Sequence, residues 1–154
     1  MSDGMEITLT GTDELLRNLS TLNSKMRGPA AVRIVTAGAN QIQSHARINI
    51  HNVFSKHQTG GLSNSISVEA DQQKGGAVAH VIPHKVYARI QELGGTIVPI
   101  RGKWLVWRDP DTGKICRARS VKLPPRPYLK PAALDNQDAI VSAMTAQSQK
   151  ELTV

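Results

Sequence analysis

The sequence predicts an α+β domain, in which an antiparallel β-sheet carries a long central helix and a C-terminal helix packed on it, with a protruding β-hairpin besides. Three observations carry this reading. Residues 30–53 hold apolar and small side chains at helical spacing with no internal proline. Residues 65–70 and 77–82 form a pair of alternating runs around a glycine-containing turn, and residues 103–108 and 114–117 flank a second turn with proline and glycine in turn positions. A last apolar stripe at helical spacing follows Pro131, over residues 132–152.

Taken in order, residues 5–9 alternate, with Ile7 and Leu9 on one face, and predict a short strand. Thr12 or Asp13 can cap a following helix whose stripe is Leu15, Leu19, Leu22 and Met26. Gly28-Pro29 ends that helix and opens the long one, with Pro29 suited to a first turn. At about 100° per residue, Ala31, Val35, Gly38, Ala39, Ile42, Ala46 and Val53 share an arc, and Arg33, Asn40, Ser44 and Arg47 lie opposite. The small Gly38, Ala39 and Ala46 admit a close neighbour, for which a covering sheet is the first expectation. Ile34, Ala37 and Ile48 form a weaker flank, either a subunit contact or scattered surface apolars.

Residues 54–61 read as a loop, and residues 72–76 as the tip of the first hairpin. Pro83 stops its second strand. Residues 86–92 predict a short helix, which Leu93-Gly94-Gly95 ends, with glycine placed for a left-handed cap. Residues 96–100 read as a strand that Pro99 confines to an edge. Asp109-Pro110-Asp111-Thr112-Gly113 is the turn of the second hairpin, and Pro124-Pro125-Arg126-Pro127 a stiff extended stretch. In the last helix Ala133, Leu134, Ile140, Val141, Met144 and Leu152 share an arc.

With 154 residues, 40% hydrophobic and 20% charged, the chain suits one domain with a core of its own, and disordered and fibrous classes are excluded. The expected organisation is a single domain over residues 1–154, with a basic hairpin at 100–119 and a proline-rich arm at 120–131. No apolar run reaches the roughly 18 residues of a membrane span, and Met1-Ser2-Asp3-Gly4 lacks the opening of a signal peptide. A lone cysteine, Cys116, excludes an intrachain disulfide and suggests a reducing compartment.

Charge is segregated. The chain's net charge of +7 is held between residues 101 and 130, where Arg101, Lys103, Arg108, Lys114, Arg117, Arg119, Lys122, Arg126 and Lys130 face only Asp109 and Asp111. Such a segment attracts a polyanion such as DNA, or an acidic protein surface; it also serves as a solvated hairpin that keeps the protein soluble.

Chemistry-bearing patterns are sparse. His45 and His51 fall on different sides of a helix, Pro83 separates His80 from His84, and His57 stands in a loop, so no metal or other cofactor is expected. Cys116 lies in the basic hairpin near Lys114 and Arg117 with no histidine adjoining it in sequence, and a small strand residue explains it more cheaply than a reactive thiol. Glu92 is a single acid without a catalytic partner and reads as a helix-end or loop-anchoring carboxylate. The expectation is a protein that is not an enzyme.

Trp104-Leu105-Val106-Trp107 is apolar on both faces of a strand. Either the fold covers both faces, or another chain covers one; aromatics among cations also stack on bases.

Three ordered stretches resemble a known family. Thr59-Gly60-Gly61-Leu62 with Ser65-Ile66 resembles its TG-x-L-x-x-S-I motif; Tyr87-Ala88 with Glu92 and Gly94 resembles its YA…E-x-G segment; and Leu123 to Ala132, which includes Arg126-Pro127-Tyr128-Leu129, resembles its P-x-R-P-[FY]-L-x-P-A approach to the last helix. The family is the tail-completion, or head–tail joining, proteins of tailed bacteriophages, including the Mu-type virion morphogenesis proteins. The resemblance implies a small α+β subunit of the virion, made in the host bacterial cytoplasm. It would assemble as a homo-oligomeric ring, commonly six-fold, between connector and tail-tube or terminator proteins, with no membrane role. Trp104, Trp107, Arg126, Pro127 and Tyr128 are then the expected subunit contacts. The doubled glycine at 60–61 and the hairpin at residues 100–119 depart from the pattern. The competing expectation is a small nucleic-acid-binding module that uses residues 101–130.

Overall fold

The computed structural model describes residues 20, 21, 24, 27–54 and 60–153. The strand expected at residues 5–9, the stripe of Leu15, Leu19, Leu22 and Met26, and Thr59 lie outside the described residues. The described part is α+β as expected, with a long helix, antiparallel strands, a C-terminal helix and a hairpin.

Helix α1 spans Pro29–Val53, with Pro29 at its first position, where a missing N–H costs nothing. Its buried residues are Ala30, Ala31, Ile34, Gly38, Ala39, Ala46 and Ile50. The expected arc therefore needs correction at three positions: Ile34 and Ile50 are inside, and Val53 is exposed. The reason is that α1 is covered from more than one side, so its buried arc is wider than a single stripe.

Strand β1 (Ile66–Gln73) pairs antiparallel with β2 (Gly76–Pro83), from Ile66 opposite Pro83 to Gln73 opposite Gly76. Gln72 and Gln73, expected in the turn, extend the ladder; Lys74 and Gly75 alone close it, with Gly75 at φ 94°. Helix α2 (Ala88–Leu93) follows, then β3 (Gly95–Ile97), β4 (Leu105–Arg108), β5 (Ile115–Ala118) and β6 (Val121–Leu123). The ladders β1–β2, β3–β6 and β4–β5 are three separate two-stranded antiparallel pairs. The last helix is two helices, α3 (Leu129–Leu134) and α4 (Gln137–Thr153), interrupted at Asp135 and Asn136. Pro131 does not open it but sits inside the first turn of α3, where no intrahelical donor is needed.

The core gathers Ala46 and Ile50 of α1, Leu62, Ile66 of β1, Ala88 of α2, and Tyr128 and Ala132 beside and within α3, with Ile42, Phe54, Val81 and Leu129 packed against it. Gly38 explains how α4 docks. A Cβ there would stand 2.9 Å from both Cγ and Sδ of Met144 and 3.3 Å from Cγ2 of Ile140. The close neighbour at this position is thus a helix and not the expected sheet. Elsewhere α4 is lightly packed: Leu134 just before it, and Val141 and Leu152 within it, are exposed.

An ion pair holds the far end of α4. Arg33 Nε donates to Glu151 Oε1 at 2.7 Å, a second guanidinium nitrogen meets Oε2, and Gln147 Nε2 also donates to Oε1 at 2.7 Å. Hydrogen bonding from Arg33 is the main cause that holds the Glu151 carboxyl down at about 2. Its folded pKa lies below the unfolded one, so the stabilisation is complete above about 4.5 and is lost as pH falls toward about 2. Glu151→Gln is expected to lower stability at neutral pH, and the gap to the parent protein should close across that acid window. Urea unfolding at stepped pH checks this; a gap that stays constant into acid would contradict it.

Candidate assembly interface

The polypeptide from residue 91 to residue 130 leaves the core, forms two ladders and returns, and its two ends are clamped together. Glu92, in the last turn of α2, accepts three backbone N–H groups: Tyr128 and Leu129 at Oε2 (2.7 and 2.9 Å) and Lys130 at Oε1 (2.9 Å). These are among the donors that a helix start leaves unpaired, so one carboxylate caps α3 from another element. The neighbouring Gln91 carbonyl accepts Arg126 N at 2.8 Å, and Asn49 Nδ2 of α1 donates to the Tyr128 carbonyl at 3.0 Å. Gly94, at φ 69°, lets the chain pass against Pro125 and Leu123, and the β3–β6 ladder completes the base. The loop-anchoring role expected of Glu92 is what the geometry shows. The aid that Asn49 supplies was not foreseen, because it sits on a helix face where polar residues need no explanation.

Beyond the clamp lies the β4–β5 arm. Its turn is built as expected: Asp109 N donates to the Lys114 carbonyl and Gly113 N to the Asp109 carbonyl, both at 2.8 Å. Asp109 Oδ1 accepts Asp111 N and Thr112 N at 2.8 and 3.0 Å. The pairing Val106–Arg117 and Arg108–Ile115 puts these four residues on one face. Trp104 and Arg119 continue it past the ladder, with the guanidinium 5.3 Å from the ring centroid. Leu105, Trp107, Cys116 and Ala118 form the other face. Val106 is 66% and Ile115 71% exposed, and Trp104 and Trp107 are 45% and 41% exposed. Of the two alternatives for this strand, coverage of both faces by the fold is therefore set aside.

Arg101, Lys103, Arg108, Lys114, Arg117, Arg119 and Lys122 are all exposed. They do not form one cluster: Arg108, Arg117 and Arg119 share the arm's mixed face, Arg101 and Lys103 precede β4, and Lys122 stands opposite Thr96 in the basal ladder. Pro124 to Pro127 are exposed between β6 and α3, and the Arg126 guanidinium lies 5.6 Å from the Phe54 ring centroid.

One expected placement is corrected. Tyr128, grouped by sequence with the exposed contacts, is 1% exposed within the subunit's own core and has no surface to offer a neighbour. Burial first, then the Glu92 charge, pushes its phenol up to about 12. Tyr87, the motif residue just before α2, is substantially exposed. The remaining motif residues are architectural. Leu62 and Ala88 are buried, Gly60 takes φ 70° where Asn64 N meets its carbonyl at 2.9 Å, and Glu92 and Gly94 build the clamp.

Ser67 Oγ meets His84 Nε2 at 2.7 Å, and Glu69 Oε1 lies 4.0 Å from that same nitrogen. A nucleophile–base–carboxylate relay needs the acid on the other ring nitrogen, so this is a surface contact. Cys116 has no histidine opposite it; its ladder partner is Trp107. Among the described residues, no group of three or more potential ligands gathers for a metal, and no helix is long and apolar enough to cross a membrane.

The described residues hold out a tryptophan-bearing cationic arm, braced at its base by the Glu92 carboxylate. The family described as "Bacteriophage HK97-gp10, putative tail-component" matches residues 13–94, more than half of the chain, and the chain belongs to that family. The match includes the first two motif stretches and ends at Gly94, so the arm and the Pro-Arg-Pro segment lie beyond it. No curated protein and no solved structure matches the chain.

Proposed function

We propose that this protein is a non-enzymatic structural subunit that oligomerises into a ring at the head–tail joint of a tailed phage and completes the tail for joining. Membership of a phage tail-component family supports the tail role. The observation that carries the finer reading is the exposed arm, with both of the chain's tryptophans on it and the exposed Pro124–Pro127 stretch at its base. The mechanism is complementarity of surfaces. A pre-ordered, proline-stiffened segment docks with little loss of conformational freedom, and tryptophan and arginine are the side chains that most often dominate such contacts. The partners are sister subunits and the adjoining connector and tail-tube or terminator proteins, within the virion neck.

Trp107→Ala and Arg126→Ala should each leave a folded subunit and weaken assembly by about 2 kcal/mol or more, roughly thirtyfold. Unfolding curves establish the fold, and counting joined particles by electron microscopy reads the function. Normal joining by both variants would contradict the proposal.

The three arginines on one arm face favour a second reading, contact with DNA that passes the joint. It requires salt-sensitive binding, and no binding of duplex DNA at about 50 mM salt would remove it.

A further inference from the structure

The mixed face of the arm has a complement elsewhere on the same chain. On β1, Glu69 and Asp71 point away from α1, which packs on the face that carries Ile66 and Val81. Glu69 stands opposite His80 and Asp71 opposite Val78 in the ladder, and Glu69, Asp71 and His80 are exposed. On the arm, Arg117 stands opposite Val106, and Arg119 lies against Trp104. Both charged pairs are two residues apart in extended chain, which spaces each pair at about 6.5–7 Å. Two guanidiniums and two carboxylates thus repeat at the same interval, each row beside a strand that supplies an apolar side chain.

We propose that the arginine face of the arm lies on the outward face of the β1–β2 ladder of a second copy of this chain, with Arg117 and Arg119 against Glu69 and Asp71. This rests on the self-association read above and names the surfaces that perform it. Charge complementarity selects the occupant. The arm's segment, residues 101–130, carries the whole net charge of +7, and the carboxylates it meets on the ladder belong to the balanced remainder. The exposed Val106 and Ile115 select a protein face over a phosphate backbone, because branched apolar side chains gain nothing from phosphates and are covered by a sheet. Glu69 Oε1 lies 4.0 Å from His84 Nε2, which leaves the second carboxylate oxygen for an incoming guanidinium. The contact is heterologous, arm of one subunit to ladder of the next, so each subunit uses both surfaces once, and a closing rotation yields a ring.

Charge reversal tests it. An arm-reversed protein (Arg117→Glu with Arg119→Glu) and a ladder-reversed protein (Glu69→Arg with Asp71→Arg) are each measured alone and mixed, by sedimentation, beside the parent chain. All four positions are exposed, so both variants should melt as the parent does. Each alone should lose self-association by about tenfold or more. An equimolar mixture should recover it, because each arm then finds a ladder of opposite charge. A parent chain that stays monomeric at every concentration overturns the self-association beneath the proposal. A parent that assembles, with variants that assemble equally well or a mixture that does not recover, overturns this pairing alone. Loss of DNA binding with unchanged self-association in the arm-reversed protein assigns those arginines to nucleic acid and also overturns it.

Discussion

Glu92→Ala should destabilise the fold by about 3 kcal/mol, because three charge-assisted hydrogen bonds disappear at once and leave backbone donors behind. The donors belong to Tyr128, Leu129 and Lys130, and Tyr128 is in the core, where water replaces the carboxylate poorly. The first turn of α3 loses its cap, and the favourable meeting of a negative charge with a helix start is lost with it. Glu92→Gln should fall between, since one acceptor oxygen remains while the amide group turns donors toward donors. Urea unfolding measures both, and the m-value should stay constant if only the native state is weakened. A loss below about 0.5 kcal/mol for the alanine variant, the size of an ordinary surface change, would show that the clamp is incidental.

Gly94→Ala should be equally damaging, at about 3 kcal/mol from conformational strain and backbone collision together. Gly94 has φ 69° and ψ −179°, a region that is open essentially to glycine alone. A Cβ would stand 2.7 Å from the Pro125 nitrogen and 2.9 Å from the Leu123 carbonyl oxygen. Both obstacles are backbone, so no rotamer change relieves them, and the β3–β6 ladder must shift. Wild-type-like unfolding of Gly94→Ala would mean that this junction yields easily. A second result separates the base from the arm: Gly113→Ala, whose Cβ would meet nothing within 4 Å, should cost only its φ 68° strain, about 1 kcal/mol.

Much of this architecture is readable from residues whose local rules agree with the fold. Pro29 opens α1, Asp109 to Gly113 close the arm, and Gly94 follows α2 with positive φ, each as its chemistry requires. Glu92 is also legible as an anchor, though not what it anchors, because its partners lie more than thirty residues away. The misses have one physical source: periodicity shows which residues share a side, not what comes to cover it. Ile34 is buried although it lies on the weaker flank, and Gly38 is filled by Met144 where a sheet was expected. Tyr128 follows a proline-rich, exposed stretch and resembles its neighbours in sequence. Capture of its N–H by Glu92 starts α3 at Leu129, two residues before Pro131, and the ring enters the core. The break at Asp135 and Asn136 carried no proline or glycine to announce it.

Because Trp104 and Trp107 are the chain's only tryptophans and both sit on the arm, fluorescence excited selectively at tryptophan, away from the absorption of Tyr87 and Tyr128, reports the arm of this chain. Emission and acrylamide quenching should be recorded for the dilute subunit, for the concentrated protein and for subunits incorporated into tails. A solvated, readily quenched signal in the dilute subunit that shifts to the blue and becomes protected on incorporation is expected of an arm that neighbours cover. Tryptophans that remain equally quenchable inside the joined particle would show that the arm is not an assembly surface.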